Sequence, residues 1–243
     1  MEVHGHVAVL TLDAGSRRNA LRIAMADELV EACGWLDEQR HIGAVVVRGA
    51  DGTFCAGADR ALLSEASEDP AEDGRFRSIG TIYSAIQAVG AIPVPTVAAV
   101  RGAAIGAGLN LALVTDLRIV SRDARLMSGF LQAGLHPGGG HASLLSRLAG
   151  PETAAGLAAF GLPIDGARAE RLGLAWEAVD DADVESRAVE IATAAAADPE
   201  LSRAVIASLR ATASRVLPID LAIHAERGAQ MWSLRRRRRD SRD

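Results

Sequence analysis

The chain has 243 residues, a net charge of −5, 49% hydrophobic residues and only 3% aromatic ones. That length allows one large domain or a domain with a helical appendage, the apolar share excludes a disordered or fibrous chain, and the shortage of rings argues against a nucleic-acid stacking platform. The segment 235–243 holds six Arg and two Asp, which leaves the body at −9, an acidity that a broad phosphate-binding face would not carry.

Val7–Leu12 and Ala44–Arg48 are short β-branched runs between Gly, Asp and Arg, the pattern of buried strands. Between them Leu21, Met25, Leu29, Ala32 and Leu36 recur at three- and four-residue spacing, which predicts an amphipathic helix over 21–39. The acidic segment 64–74 lacks periodicity and is read as a mobile loop before a helix over 75–89. Thr96–Val100 and Leu117–Val120 read as strands, with an apolar helix entered through glycines over 108–115. The alternation predicts an α/β architecture with helices packed over parallel strands. From Gly140 onward Ala-rich helical runs dominate, at about 141–149, 151–160, 184–197, 199–215 and 219–234.

Every base is Arg, with no Lys anywhere. Cys33 and Cys55 form no metal or redox spacing, so no metal site is expected. The opening Met1-Glu2-Val3-His4 lacks a charged-then-apolar signal, and no apolar run reaches the ~18 residues of a membrane span. The expectation is a soluble, cytoplasmic protein with neither nucleic acid nor membrane as partner.

Two glycine-bearing segments each follow a strand: Thr53 to Asp59 (TFCAGAD) and Gly102 to Asn110 (GAAIGAGLN). Small residues let a backbone turn its N–H groups toward a ligand, and the second segment also opens a helix, whose free amides favour a developing oxyanion. The competing reading is tight turns and close helix packing. Gly102–Gly108 is not the dinucleotide fingerprint, Gly138-Gly139-Gly140 is followed by His141 rather than Lys-Ser/Thr, and no Ser sits in a nucleophile elbow.

The motifs VAVLTLD, RRNAL, VVVRG, FCAGAD, PTVAAVRGAAIGAGLNLALVTDLRIV and AGLHPGGG, in this order from about Val7 to Val179, resemble the crotonase superfamily, the enoyl-CoA hydratase/isomerase family. The resemblance implies a crotonase-like spiral of ββα units with a helical C-terminal trimerisation region. It divides the chain into a core over 1–185 and a helical region with an Arg-rich tail over 186–243. It also implies an acyl-CoA thioester as substrate, with coenzyme A as part of it and no separate cofactor, and a homotrimer or dimer of trimers. The thioester carbonyl would lie between the backbone amides of Ala58 and Ala107, with Ala56, Gly57, Asp59 and Gly106 shaping the two turns. Arg18 matches a position where family members can place a base against the nucleotide phosphates, and Arg60 is a weaker candidate on the same grounds. The segment 62–89 should line the acyl pocket.

The sequence departs from the family's hydratases at both catalytic carboxylates. Three residues after Ala107 stands Asn110, and seven before Pro137-Gly138 stands Phe130. Two carboxylates are needed to activate water and return a proton at the neighbouring carbon. Asn cannot cycle a proton, and Phe can neither bind nor activate water, so efficient hydration is not expected. His136 falls where other members carry active-site groups, and an imidazole is a side chain suited to proton transfer, although a His before Pro also serves as a capped structural residue. His141 is read as packing or capping, Asp59 as fixing its loop, Asp116 as bracing a turn and Cys55 as a small buried hydrophobe. Two readings stay open: an enzyme working through a CoA enolate, and a protein that binds acyl-CoA without turning it over.

Overall fold

A computed structural model describes residues 1–212 and, beyond them, 219, 220, 223, 224, 227, 228, 230, 231, 234 and 235. The main sheet has six strands in the order β1-β2-β3-β4-β6-β8. These are β1 (Glu2–His4), β2 (Val7–Leu12), β3 (Ala44–Gly49), β4 (Thr96–Val100), β6 (Leu117–Ser121) and β8 (Glu177–Val179). The edge strand β1 runs antiparallel to β2, and every other pairing in this sheet is parallel, with Val7 opposite Ala44 and Val45 opposite Thr96.

Both faces of the sheet are covered, which is why its strands read as unbroken apolar runs. Val7, Val9, Ala44, Val46, Val97, Ala99 and Ile119 point to one face, against Val184, Ala188 and Ala192 of α7 (Val184–Ala195). The alternate residues Ala8, Leu10, Val45, Val47, Ala98, Val100 and Val120 point to the other. There they meet α1 (Ile23–Glu38), which buries Ala26, Leu29, Cys33 and Leu36 at helical spacing. A boundary after residue 185 falls on the second residue of α7, which packs across the sheet.

A second, smaller layer makes the spiral. Strand β5 (Ala103–Ile105) pairs in parallel with β7 (Arg125–Met127), and single bridges Cys55–Ala104, Leu21–Ala58 and Leu126–Ile164 extend the arrangement. Each turn of chain therefore runs through a main-sheet strand, then a short second-layer piece, then a helix. After β3 the helices are α2 (Arg60–Glu68) and α3 (Asp73–Ala91), after β4 and β5 α4 (Ala107–Leu113), and after β6 and β7 α5 (His141–Ala154).

The acidic segment 64–74 is a loop only over 69–72, between two helices. Residues 64–68 complete α2, whose N-cap Asp59 accepts from the Ala61 amide and whose Ala66 is buried, while Glu72 caps α3 by accepting from the Gly74 and Arg75 amides. The apolar spacing that marks α2 starts at Leu62, upstream of the stretch taken by itself as aperiodic. The two runs at 141–149 and 151–160 meet at Gly150, which has φ +80 and precedes Pro151; the chain kinks there and continues through Ala155–Ala159 as a wider π turn. Helix α6 spans Gly166–Arg171 and α8 spans Pro199–Thr212. Residues described in 219–235 have helical conformation, and of the Arg tail only Arg235 is among them.

Candidate functional site

The two glycine-bearing turns leave the second layer side by side. Cys55 N–H donates to Ala103 and Ile105 N–H donates to Cys55, at 2.9 and 3.0 Å, so 53–59 and 102–108 are stitched together. Leu21 N–H donates to Gly57 O and Leu21 O accepts from Asp59 N–H, so the peptide groups flanking Ala58 face Leu21 while Ala58's own N–H points away. Ala107 is the first residue of α4, where an N–H has no intrahelical partner. Neither the Ala58 nor the Ala107 amide has an acceptor among the described residues. Gly57 has φ +94, and a Cβ there would lie 2.6 Å from Ile105 O and 3.7 Å from Ala107 N, so only glycine lets the two turns approach this closely.

Side chains hold the first turn rigidly. Asp59 is buried, caps α2 and receives Arg17 Nη1 at 3.0 Å. Burial alone would raise its carboxyl, but the Ala61 amide and the Arg17 guanidinium outweigh it and hold Asp59 below the usual carboxylate range. Ala56 N–H donates to Arg18 O, so Arg18 contributes its backbone here while its side chain is exposed. Arg60 is also exposed, on the first turn of α2. Fully buried Asn19, in left-handed backbone at φ +54, accepts from Ala14 N–H and donates to Ala50 O and Thr53 O. The Cys55 thiol donates to Asn19 O, and burial pushes it up to about 12, as expected of an inert hydrophobe.

At the two positions where carboxylates would stand, the structure builds a different wall. Asn110 Nδ2 donates to Gly138 O at 2.9 Å and to Gly139 O at 3.3 Å, which fixes the amide's orientation and turns Oδ1 toward His141. The His141 Nδ1 lies 2.6 Å from that oxygen. Because Oδ1 can only accept, Nδ1 must carry the proton, and Nε2 accepts from the Ser128 hydroxyl. All three residues are fully buried, and burial pushes the imidazole down to about 3. The Phe130 ring packs edge-on against His141, with centroids 5.0 Å apart, and its edge is 3.9 Å from where a Cβ on Gly106 would be.

A family model for enoyl-CoA hydratase/isomerase matches residues 2–238. The chain belongs to that family. A probable enoyl-CoA hydratase of Mycobacterium tuberculosis is 42% identical over 215 residues, covering 88% of this chain and 82% of the relative. The 1,2-epoxyphenylacetyl-CoA isomerase of Escherichia coli is 32% identical over 201 residues, covering 82% and 76%. Among solved structures, an enoyl-CoA hydratase from Polaromonas sp. JS666 superposes with a TM-score of 0.82 at 28% identity, covering 93% of this chain and 88% of that one. The names of these relatives include both a hydratase and an isomerase, so the family is fixed while the reaction is not.

The fold thus brings Ala56, Gly57, Ala58, Gly106, Ala107, Asn110 and Phe130 to one place. His136, two residues before the Gly138 carbonyl that receives Asn110, is exposed, with Nδ1 2.7 Å from Pro137 O. The segment 62–89 meets this place only in part, through Leu62, Leu63, Ala66, Ile79 and Tyr83, which share an apolar cluster with Phe130, Leu135, Ile223, Met231 and Leu234. Asp116 braces β4, accepting from Thr96 N–H and Oγ1–H and from Arg210 of α8. Two residues escaped the sequence reading. Ser128 carries no local signal at all, whereas Asn19 could have been flagged because Asn is the residue of RRNAL that most readily holds a left-handed turn, which Arg18 shares at φ +52.

Proposed function

We propose that this protein binds an acyl-CoA thioester with its carbonyl oxygen between the Ala58 and Ala107 amides, and processes it through the enolate rather than by two-carboxylate hydration. The observation that carries the reading is the pair of acceptor-free N–H groups on adjoining turns, one at a helix N-terminus. When charge moves from the α-carbon onto the thioester oxygen, two fixed donors stabilise it without reorganising, and removal of one such donor typically costs ~3 kcal/mol. The side chains near the α- and β-carbons then choose the reaction. Here that wall presents Phe130 and an Asn110 whose amide is already committed to Gly138, Gly139 and His141, so neither of these two positions gives water a carboxylate to activate it.

A second reading, acyl-CoA binding without turnover, is favoured by one specific feature: Asn110, His141 and Ser128 are fully engaged with one another and buried. A panel of enoyl-, 3-hydroxyacyl- and malonyl-type CoA esters followed by mass spectrometry separates the two. Conversion of any member supports the enzyme, saturable binding of all with conversion of none supports the binder, and binding of none contradicts both.

A further inference from the structure

Ser128, His141 and Asn110 form a hydrogen-bonded chain that superficially matches a nucleophile, a base and an orienting residue. Its placement argues for a different use. Ser128 is fully buried beside the second-layer pair, and His141 and Asn110 are sealed with it, so no substrate atom can reach the hydroxyl without dismantling the wall. What the chain does connect is three backbone segments around the Ala107 amide. Asn110 sits one turn along α4 from Ala107, and its N–H donates to Gly106 O at 3.0 Å. Ser128 follows β7, whose Met127 O receives the Gly106 amide at 3.0 Å. His141 opens α5, after the glycines whose carbonyls receive Asn110 Nδ2.

We infer that His141, in its Nδ1–H tautomer, is the positioning residue that clamps Asn110 to Ser128 and so aims the Ala107 N–H at the thioester oxygen. Three observations make the clamp specific. The two carbonyls that accept from Asn110 leave its Oδ1 with one role, acceptor from His141. A Cβ on Gly139, which has φ +69, would come within 2.8 Å of Asn110 Nδ2, so the glycine run is shaped to admit this amide. Burial, with no charged neighbour contributing, keeps the imidazole uncharged, so the clamp holds its hydrogen-bond pattern where an exposed His would lose it. The groups facing it are the amide of Asn110 from α4, the hydroxyl of Ser128 after β7 and the ring of Phe130; Tyr83 of α3 approaches from beyond Gly139.

The inference rests on the acyl-CoA reading above, and infrared difference spectra of bound crotonyl-CoA labelled with ¹³C at the carbonyl separate the two. In the wild type the thioester stretch should move to lower frequency on binding, as it must if two N–H groups polarise it. His141→Leu should lose most of that shift, while free CoA, which has no acyl carbonyl to be aimed at, binds within about threefold of wild type. His141→Asn, whose amide N–H can replace Nδ1–H, should recover part of it, and Ser128→Ala, which releases the other end of the clamp, should lose part of it. A full shift in His141→Leu would overturn the positioning role and leave the acyl-CoA reading intact; no shift in the wild type would overturn both. Should His141→Leu fail to fold, ¹⁵N spectra of the wild-type imidazole still decide, since an Nε2–H tautomer, or a ring that titrates between about pH 5 and 8, contradicts the clamp. Mass spectrometry after incubation with substrate closes the remaining route: an acyl group on Ser128 would make it a nucleophile and refute the inference, and an unmodified Ser128 supports it.

Discussion

The turns 53–59 and 102–108 and the wall formed by Asn110, Ser128, Phe130 and His141 face the same place and are built on opposite principles. The turns offer backbone donors. Their chemistry depends on what side chains leave out, and Gly57 is the sharpest case, since its missing Cβ admits Ile105 and Ala107. The wall offers side chains, and each is defined by a partner 11 to 31 residues away in sequence. One region can therefore stay constant while the other is rewritten, and a family that keeps its amides can change its reaction by changing its wall.

The largest effect should come from breaking the turns. Replacing Ala107 by Pro deletes one donor outright, at a helix position where proline is otherwise tolerated. Turnover of any thioester found to react should fall by ~100-fold or more; steady-state assays beside circular dichroism check this, and unchanged turnover in a folded variant would remove Ala107 from the site.

Breaking the wall should instead appear in stability against pH. The buried imidazole is held at about 3 against an ordinary 6.5. As pH falls below the ordinary value, the unfolded chain binds a proton that the native chain refuses. Stability is thus lost from about pH 6.5 downward until the native pKa is reached, at up to ~1.4 kcal/mol per pH unit. Urea unfolding between about pH 5 and 6, where carboxylates remain largely ionised, should show a slope in the wild type that His141→Asn lacks. Equal slopes in both proteins would mean that His141 is not buried neutral.

A smaller effect tests how the first turn is held. Asp59→Ala removes the cap of α2 and the partner of Arg17 together, and should cost about 1 kcal/mol. Thermal unfolding measures it, and the same experiment on Arg17→Ala should give less, because that arginine is half exposed.

How far the sequence discloses all this follows the same division. Strands β2, β3, β4 and β6 and helices α1, α3 and α4 are legible because apolar periodicity and glycine punctuation are local, whereas β5, β7 and β8, three residues each, are too short to show a pattern; the amide-bearing turns are legible because FCAGAD and GAAIGAG each carry their own geometry. Helix α2 escapes because its acidic, Pro-flanked second half hides a spacing that begins at Leu62. The wall is only half legible. Counting along the chain finds Asn110 and Phe130 where carboxylates are missing, yet nothing local says that His141, not His136, reaches Asn110, or that Ser128 completes the chain. Both histidines flank the same Pro-Gly-Gly-Gly run, and only the fold determines which ring turns inward.

The most direct test of the central claim, that the amides are kept while the hydration chemistry is gone, is the rate of crotonyl-CoA hydration measured beside a two-Glu member of the family under identical conditions. Loss of both carboxylates predicts a rate at least ~100-fold lower, the lower end of what acid–base catalysis contributes. A rate within about tenfold of the two-Glu enzyme would contradict it, and would require a proton-transfer group that neither Asn110 nor Phe130 supplies.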